Sequence, residues 1–408
     1  MSGSTGSISA DPNPDGGRFE VSRRPRLVVR SGLIREMPTI LQRDGRRAVA
    51  VITGGRSVRG RDEWAQLVEE LLESGLDFQE FTVRGEPGPD TVDRIAAECR
   101  QDLAGCDAVL AIGGGSVIDA AKAVAAMLAL RGNAAVSVRE YLEGVGSRVP
   151  TGLTLPLYAM PTTAGTGSEA TRNAVISETG PGGFKKSLRH EHYVPVAALI
   201  DPELHVGCPP VVTRASGLDA ITQLLEAFVS TRANPLTDAL CREGLRLAGG
   251  ALPQLLAGRD TPELRSAMAL AAHFSGIALA QAGLGLVHGF ASPLGAAHDI
   301  PHGVVCGLLV GPVTRATCAE AGAPIHRYTE AAALLGREKA DGVDALTGWL
   351  DELARPLGCL SDYGFAADEL AGLARASGNK NNPVQLTEEI RFTLLAGVLS
   401  PDAGGALS

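Results

Sequence analysis

The chain is expected to fold as an α/β domain built on a parallel sheet, followed by an all-helical domain. Three observations carry this expectation. In the first half, short β-rich apolar runs alternate with helical periods, the pattern of parallel strands joined by crossover helices. Beyond about Pro209 the strand-like runs stop, and helical periods follow one another between Pro, Gly, Asn or Asp boundaries. The length, 408 residues, exceeds what one ordinary core serves. The expected organisation is a disordered tail over 1–17, an α/β domain over 18–208 and a helical domain over 209–408.

Taken in order, the tail MSGSTGSISADPNPDGG has almost nothing to bury. Strands are expected over 26–30 and 48–52, the second entering the turn Thr53-Gly54-Gly55-Arg56-Ser57, with a helix over 62–74. A strand over 76–83, a helix over 90–103 and a buried strand over 107–112 follow. That strand ends in Gly113-Gly114-Gly115-Ser116, which opens a helix reaching about residue 130. Glycines let a backbone approach a ligand closely, and a helix start offers unpaired N–H groups, so the turn suits a pyrophosphate. It is not a G-x-G-x-x-G fingerprint, and a plain strand-to-helix turn is the competing reading. Residues 138–150 read as a polar loop. A strand over 155–160 leads into PTTAGTGSE, where Thr162, Thr163, Thr166 and Ser168 either line a polar ligand or form an ordinary loop. Residues 173–200 read as a hairpin or paired strands, with Gly182-Gly183 in the turn and Lys185-Lys186 on the return.

In the helical half, Asp219 and Gln223 stand four apart, one turn apart on one helix face. His288 and His302 bracket HGFASPLGAAHDIPH, where Pro293 and Pro301 are expected to interrupt any continuous helix and fold His302 back. Two imidazoles, a carboxylate and an amide can share a divalent cation. Two satisfied core histidines and a buried capping Asp are the alternative.

Composition narrows the partners. A net charge of −9 with no basic run argues against nucleic acid. Seven scattered cysteines, odd in number and without C-x-x-C spacing, read as small apolar fillers in a reducing, cytoplasmic setting. No apolar stretch is long enough to span a bilayer, and no signal-peptide pattern opens the chain, so no membrane partner is expected.

GGGSVIDAAK at 113–122, PTTAGTGSE at 161–169, DPEL at 201–204, GLDAITQLLEAF at 217–228, HGFASPLG at 288–295 and PHG at 301–303 together resemble the iron-containing (group III) alcohol dehydrogenases. The resemblance spans about residues 20–400. It implies a Rossmann-like dinucleotide-binding domain, a helical domain, and a cleft between them for a nicotinamide cofactor and a divalent metal. Dehydroquinate synthase shares this architecture at greater distance. Position by position, the resemblance implies Gly113, Gly114, Gly115, Ser116 and Asp119 as the pyrophosphate turn. Thr162, Thr163 and Thr166 would run along the cofactor, and Lys185 would reach its ribose. Asp219, His288 and His302 fall on metal positions, with Gln223 as a fourth; Asp201 matches a further acidic residue of the family. The implied reaction is hydride transfer between a nicotinamide and the carbonyl carbon of a small aldehyde, with the cation as Lewis acid. Fe²⁺ is the expected metal, Zn²⁺ and Mn²⁺ the alternatives, and family habit implies a homodimer.

Three departures matter. Gln223 stands where the family usually has His, and an amide oxygen is the weaker ligand. Ser292 stands where many members carry another His, which leaves His298, a ribose hydroxyl or water as the proton route. Gly54 replaces the Asp that many NAD-using relatives have at this strand end. With Arg56 and Ser57 beside it, the turn favours NADP over NAD. Two other readings stay open: a metal-independent reductase similar to the maleylacetate reductases, and a catalytically silent nucleotide-binding protein. Arg172, Asn173, Arg189, His190 and His192 are candidates for receiving an anionic aldehyde.

Overall fold

The structure, a computed structural model, describes residues 19–130, 136–337 and 342–400, so the expected 1–17 tail lies outside it. The first half contains β1 (Arg26–Val29), α1 (Met37–Arg43), β2 (Ala48–Thr53), α2 (Arg56–Arg59), α3 (Asp62–Ser74), β3 (Asp77–Thr82), α4 (Pro89–Asp102), β4 (Ala108–Gly113) and α5 (Gly115–Ala129). It continues with β5 (Leu157–Pro161), the hairpin strands β6 (Asn173–Glu178) and β7 (Phe184–Arg189), and β8 (Ala197–Ile200). Six strands form one parallel sheet in the order β1-β8-β5-β4-β2-β3. AVAVIT and AVLAIG are apolar without alternation because both sheet faces are covered, and every residue of β2 and β4 is buried.

Each face has its own core. Val92 and Ile95 of α4 and Val124 of α5 pack with Ala50, Ile52 and Ala111 on one face. Leu41 of α1 and Leu67 and Leu71 of α3 pack with Val49, Val51 and Leu110 on the other. The helices that follow neighbouring strands β2 and β4 therefore leave to opposite faces. That reversal opens a crevice at the carboxyl ends of the two strands, where sheets of this kind bind ligands.

Two expectations need correction here. The turn after β2 contains the short helix α2; the Arg56 side chain lies outside what the structure describes. Residues 138–150 are not simply a polar loop, because a 3₁₀ helix at Val138–Tyr141 buries Val138 and Tyr141 in the α4–α5 core. Charged residues between these apolar ones hid the burial.

The second half is helical: α6 (Pro210–Val229), α7 (Pro235–Leu256), α8 (Pro262–Ala282), α9 (Leu286–Ala297), α10 (His302–Ala319), α11 (Ile325–Leu334), α12 (Gly342–Ala354), α13 (Leu370–Ala376) and α14 (Glu388–Gly397). Helix α6 is the axis of this lobe, with every residue from Gly217 to Val229 buried against α7, α8 and α10. Asn234 and Thr237 form a reciprocal capping box that starts α7, with Pro235 in the first turn where its missing N–H costs nothing. Pro293 lies inside α9 and does not break it; the fold-back comes later, at residues 298–301, and Pro301 caps α10. Among the described residues no single helix is long and apolar enough to cross a membrane.

The lobes meet main chain to main chain. Gly167, at φ +60°, sits so close to α8 that an added Cβ would lie 2.5 Å from Ala272 O and 2.6 Å from Gly276 Cα. Asp201, fully buried, fastens the segment after β1 to this junction by accepting from Gly32 N (3.1 Å), Ile34 N (3.0 Å) and Glu203 N (3.1 Å). Its acidity thus serves backbone capping.

His205 follows Asp201 in the same junction and is 1% exposed, with Nε2 lacking a partner among the described residues. Burial pushes its pKa down to about 4, with Glu169 opposing and Arg265 and Arg61 assisting. The unfolded chain therefore binds the proton first, and stability falls as pH drops from about 6.5 toward 4. The expected loss is on the order of 3 kcal/mol. Denaturant titrations across that range should show a shallower decline in His205→Gln than in the parent; equal slopes would assign the decline elsewhere.

Candidate functional site

The glycine turn occupies the crevice between β2 and β4. Gly114 caps α5 without any side-chain bond to its first amides, leaving them to a ligand. The threonine loop lies directly over it: a Cβ on Gly114 would lie 3.0 Å from Thr163 Oγ1, and one on Gly115 would lie 2.5 Å from Thr166 Oγ1. Glycine is required here by space. Gly113 is crowded by Val117, 2.6 Å from a Cβ built there, and Gly54 at the end of β2 faces the same Val117 methyl at 3.6 Å. Ser57, in α2, is exposed.

Asp119 and Lys122 hold this cradle in shape. Asp119 accepts from Ser168 Oγ and from Val175 N (3.1 Å). Lys122, 1% exposed, places its ammonium on Ser168 Oγ (2.7 Å), Thr171 Oγ1 (3.0 Å) and Asn173 O (2.6 Å), with Asp119 Oδ1 at 3.4 Å. Burial lowers the Lys122 pKa and Asp119 opposes that shift. A buried ammonium needs such partners, so the pair on α5 ties the loop after β5 to the start of the helix.

In the helical lobe, α6 supplies Asp219, Gln223 and Glu226, α9 supplies His288, and α10 supplies His302 as its first residue. Both imidazole Nε2 atoms point at Asp219 Oδ1, at 3.4 Å for His288 and 3.6 Å for His302. His288 Nδ1 bonds Glu226 Oε2 at 2.7 Å, which fixes the ring with Nε2 turned toward Asp219. Burial acts to raise the Asp219 pKa, but His302, His288 and Gln223 outweigh it and hold the carboxyl below its ordinary value. Burial pushes His302 down to about 4, with the Asp219 carboxylate opposing.

Gln223 takes a different place from the expected one. Its Nε2 donates to Asp219 Oδ1 at 2.9 Å, and its Oε1 accepts from Ser275 Oγ at 2.6 Å. The amide positions the carboxylate. A side chain that sequence reasoning missed joins the group instead: the Cys306 sulfur lies 3.7 Å from His288 Nε2 and 3.8 Å from His302 Nε2. The donor atoms of Asp219, His288, His302 and Cys306 all lie within 4.8 Å of one another. Carboxylate, imidazole and sulfur at these spacings fit a first-row divalent cation.

One cavity of about 580 Å³ joins the two ends of the site, with Gly115, Ser116 and Thr166 at one end and Gln223, His288 and His302 at the other. Asp119 and Lys185 also line it. Lys185 pairs with Glu86, a wall residue the sequence did not single out. Thr162 and Thr163 do not reach this cavity; they border a separate small crevice with His205. His298 is also elsewhere, bonded through Nε2 to Glu369 (2.8 Å) with its ring against Phe365. Ser292 lines the cavity but donates to Lys185 O at 2.9 Å. Arg172, Asn173 and Arg189 border the cavity, joined by Arg232 and Lys380, whereas His190 and His192 do not.

Gly115→Ala should push Thr166 off its bond from Ser168 N, which is 3.2 Å long. The expected cost is about 1–3 kcal/mol of nicotinamide nucleotide binding, or roughly 5–150-fold in Kd, with metal content unchanged. Calorimetric titration and metal analysis of the variant would check it.

The sequence matches the family model "Iron-containing alcohol dehydrogenase" over residues 25–202 and "Fe-containing alcohol dehydrogenase family, C-terminal" over 213–396. It is 35% identical to the probable alcohol dehydrogenase EutG of Escherichia coli over 72% of this chain and 71% of that protein. It is 32% identical to alcohol dehydrogenase 4 of Saccharomyces cerevisiae over 86% of this chain and 90% of the yeast protein. Its fold is similar to that of sulfoacetaldehyde reductase from Bifidobacterium kashiwanohense, solved in complex with NAD⁺. That match has a TM-score of 0.81 and 27% identity, and covers 95% of this chain and 100% of that one. With two family models covering both halves, the chain belongs to the iron-containing alcohol dehydrogenase family.

Proposed function

We propose that the protein is a metal-dependent aldehyde reductase that uses NADP(H) in preference to NAD(H) and takes a short anionic aldehyde. The observation that carries this reading is the shared cavity, which has an uncapped helix start at one end and cation-spaced donors at the other. A divalent cation held there supplies Lewis acidity toward a carbonyl oxygen, and the nicotinamide supplies the hydride. The first amides of α5 bind the pyrophosphate and Thr166 borders its path. Glu226 fixes the tautomer of His288, and Gln223 fixes Asp219. With His298 turned toward Glu369, a ribose hydroxyl or water carries the proton past the Lys185–Glu86 pair.

The preference for NADP(H) is supported by the strand end at Gly54, where no carboxylate stands to repel a 2′-phosphate. The anionic substrate is supported by cations on the cavity wall. Arg172 pairs with Glu191 and Arg189 with Glu143, but Arg232 and Lys380 form no ion pair among the described residues. Lys380 is held at φ +41°, a backbone region that a side chain other than glycine rarely occupies. Sulfoacetaldehyde, named for one relative, is itself an anionic aldehyde.

Steady-state assays with neutral and anionic aldehydes of equal length, both nicotinamides, and chelator followed by Fe²⁺ or Zn²⁺ test the reading. Expected outcomes are turnover lost on chelation and restored by metal, higher kcat/KM with NADPH, and higher kcat/KM for the anionic aldehyde. Lys380→Met should raise KM for the anionic aldehyde by roughly 10–100-fold, the loss of a charged hydrogen bond, and leave the neutral one unaffected. A strong NADH preference would reverse the cofactor reading, and chelator-insensitive turnover would favour metal-free reduction.

A further inference from the structure

We propose that Cys306 is a ligand of the cation, bound as a thiolate in the position that the Gln223 amide leaves vacant, giving an Asp-His-His-Cys centre. This rests on the metal-dependent reading above and concerns which side chains complete the site.

The separations favour it. A tetrahedral ion with metal–N and metal–O bonds near 2.0–2.2 Å and metal–S near 2.3 Å sets N···O edges of about 3.3–3.5 Å and N···S edges of about 3.6 Å. The observed N···O separations are 3.4 and 3.6 Å, and the N···S separations are 3.7 and 3.8 Å. Four of the six edges of such a site are thus within about 0.2 Å of the ideal, and all four donor atoms lie within 4.8 Å of one another.

The surroundings of each fourth-ligand candidate point the same way. Gln223 has both ends of its amide engaged, the nitrogen on Asp219 and the oxygen on Ser275. Turning the oxygen toward the ion would remove the donor from Asp219 and present an N–H to Ser275, whose hydroxyl also bonds Ala272 O at 2.7 Å. Cys306 has no such commitment. It is fully buried, one turn after His302 on α10, and its polar neighbours are the two imidazole nitrogens that face Asp219. An apolar filler would meet apolar atoms there. Because Cys306 does not line the cavity, it approaches from behind, and the side toward His302 stays open to substrate.

The step balances without redox chemistry. The Sγ–H bond breaks, its electron pair forms the metal–sulfur bond, and the proton leaves to solvent. A thiolate shifts the preference toward Zn²⁺, Fe²⁺ or Co²⁺ and away from Mn²⁺.

Full-length protein, stripped of metal and reloaded with Co²⁺, tests this by absorption spectroscopy. The parent should show a near-ultraviolet sulfur-to-cobalt charge-transfer band beside the visible ligand-field bands. Cys306→Ser should lose the first and keep the second, and should bind Zn²⁺ at least ~10-fold more weakly in chelator competition. Gln223→Ala should keep the charge-transfer band. Zinc binding near neutral pH should release one more proton per ion from the parent than from Cys306→Ser. Ligand-field bands without a charge-transfer band in the parent would overturn the assignment and leave the metal-dependent reading standing. A band that survives in Cys306→Ser would also overturn it. A parent that binds no cobalt overturns both. The parent spectrum decides even where a variant fails to fold.

Discussion

The helical lobe depends on a carboxylate in the middle of a buried helix. Asp219 is 1% exposed within a run of α6 that is otherwise closed to water, and an isolated charge there would cost several kcal/mol. The cost is offset by directed partners: the Gln223 amide on the same helix, His288 from α9 and His302 from α10. Only the first of these is supplied by local sequence. Satisfying one acid therefore requires three helices to converge, and the same convergence creates a set of donors around a common point. Stability and chemistry are linked at Asp219, since the side chains that satisfy the carboxylate also mark a place that fits a cation.

The nucleotide lobe follows the same logic with the sign reversed. Lys122 is a buried cation on α5, and its hydroxyl, carbonyl and carboxylate partners come from the segment after β5 and from its own helix. That demand draws the threonine loop over the glycine turn until the two are in contact. In each lobe, then, one charged side chain kept from water specifies the geometry of a binding surface more sharply than apolar packing does, because hydrogen bonds are directional and hydrophobic contacts are not.

Much of this was readable in the chain. Strand-glycine-helix order located the cradle, helical spacing put Asp219 and Gln223 on one face, and two separated histidines marked the other half of the centre. What escaped was information carried by three-dimensional direction. Cys306 sits in VVCGLLV, where a thiol looks like one more small apolar residue; only its place one turn after His302 distinguishes it. Glu226, two turns after Asp219, reads as an ordinary polar position until His288 is brought against it. His298 lies between the two site histidines in sequence, yet it follows the end of α9 and faces away. Pro293 looked like a breaker, but the packing of α9 tolerates one missing N–H, and the real discontinuity came at Pro301. Thr162 and Thr163 share a motif with Thr166 and differ from it in outlook, because neighbouring loop residues need not face one way.

The junction at Gly167 and Gly276 has a consequence for how the halves communicate. Side-chain contacts between rigid bodies can slip by changing rotamers, but two peptide backbones pressed together have nothing to rearrange. The loop that borders the nucleotide path and the helix that carries Ser275, the partner of Gln223, are thereby seated as one piece. The glycine cradle and the donors around Asp219 are therefore held in one register by a rivet of two residues that possess no side chains at all.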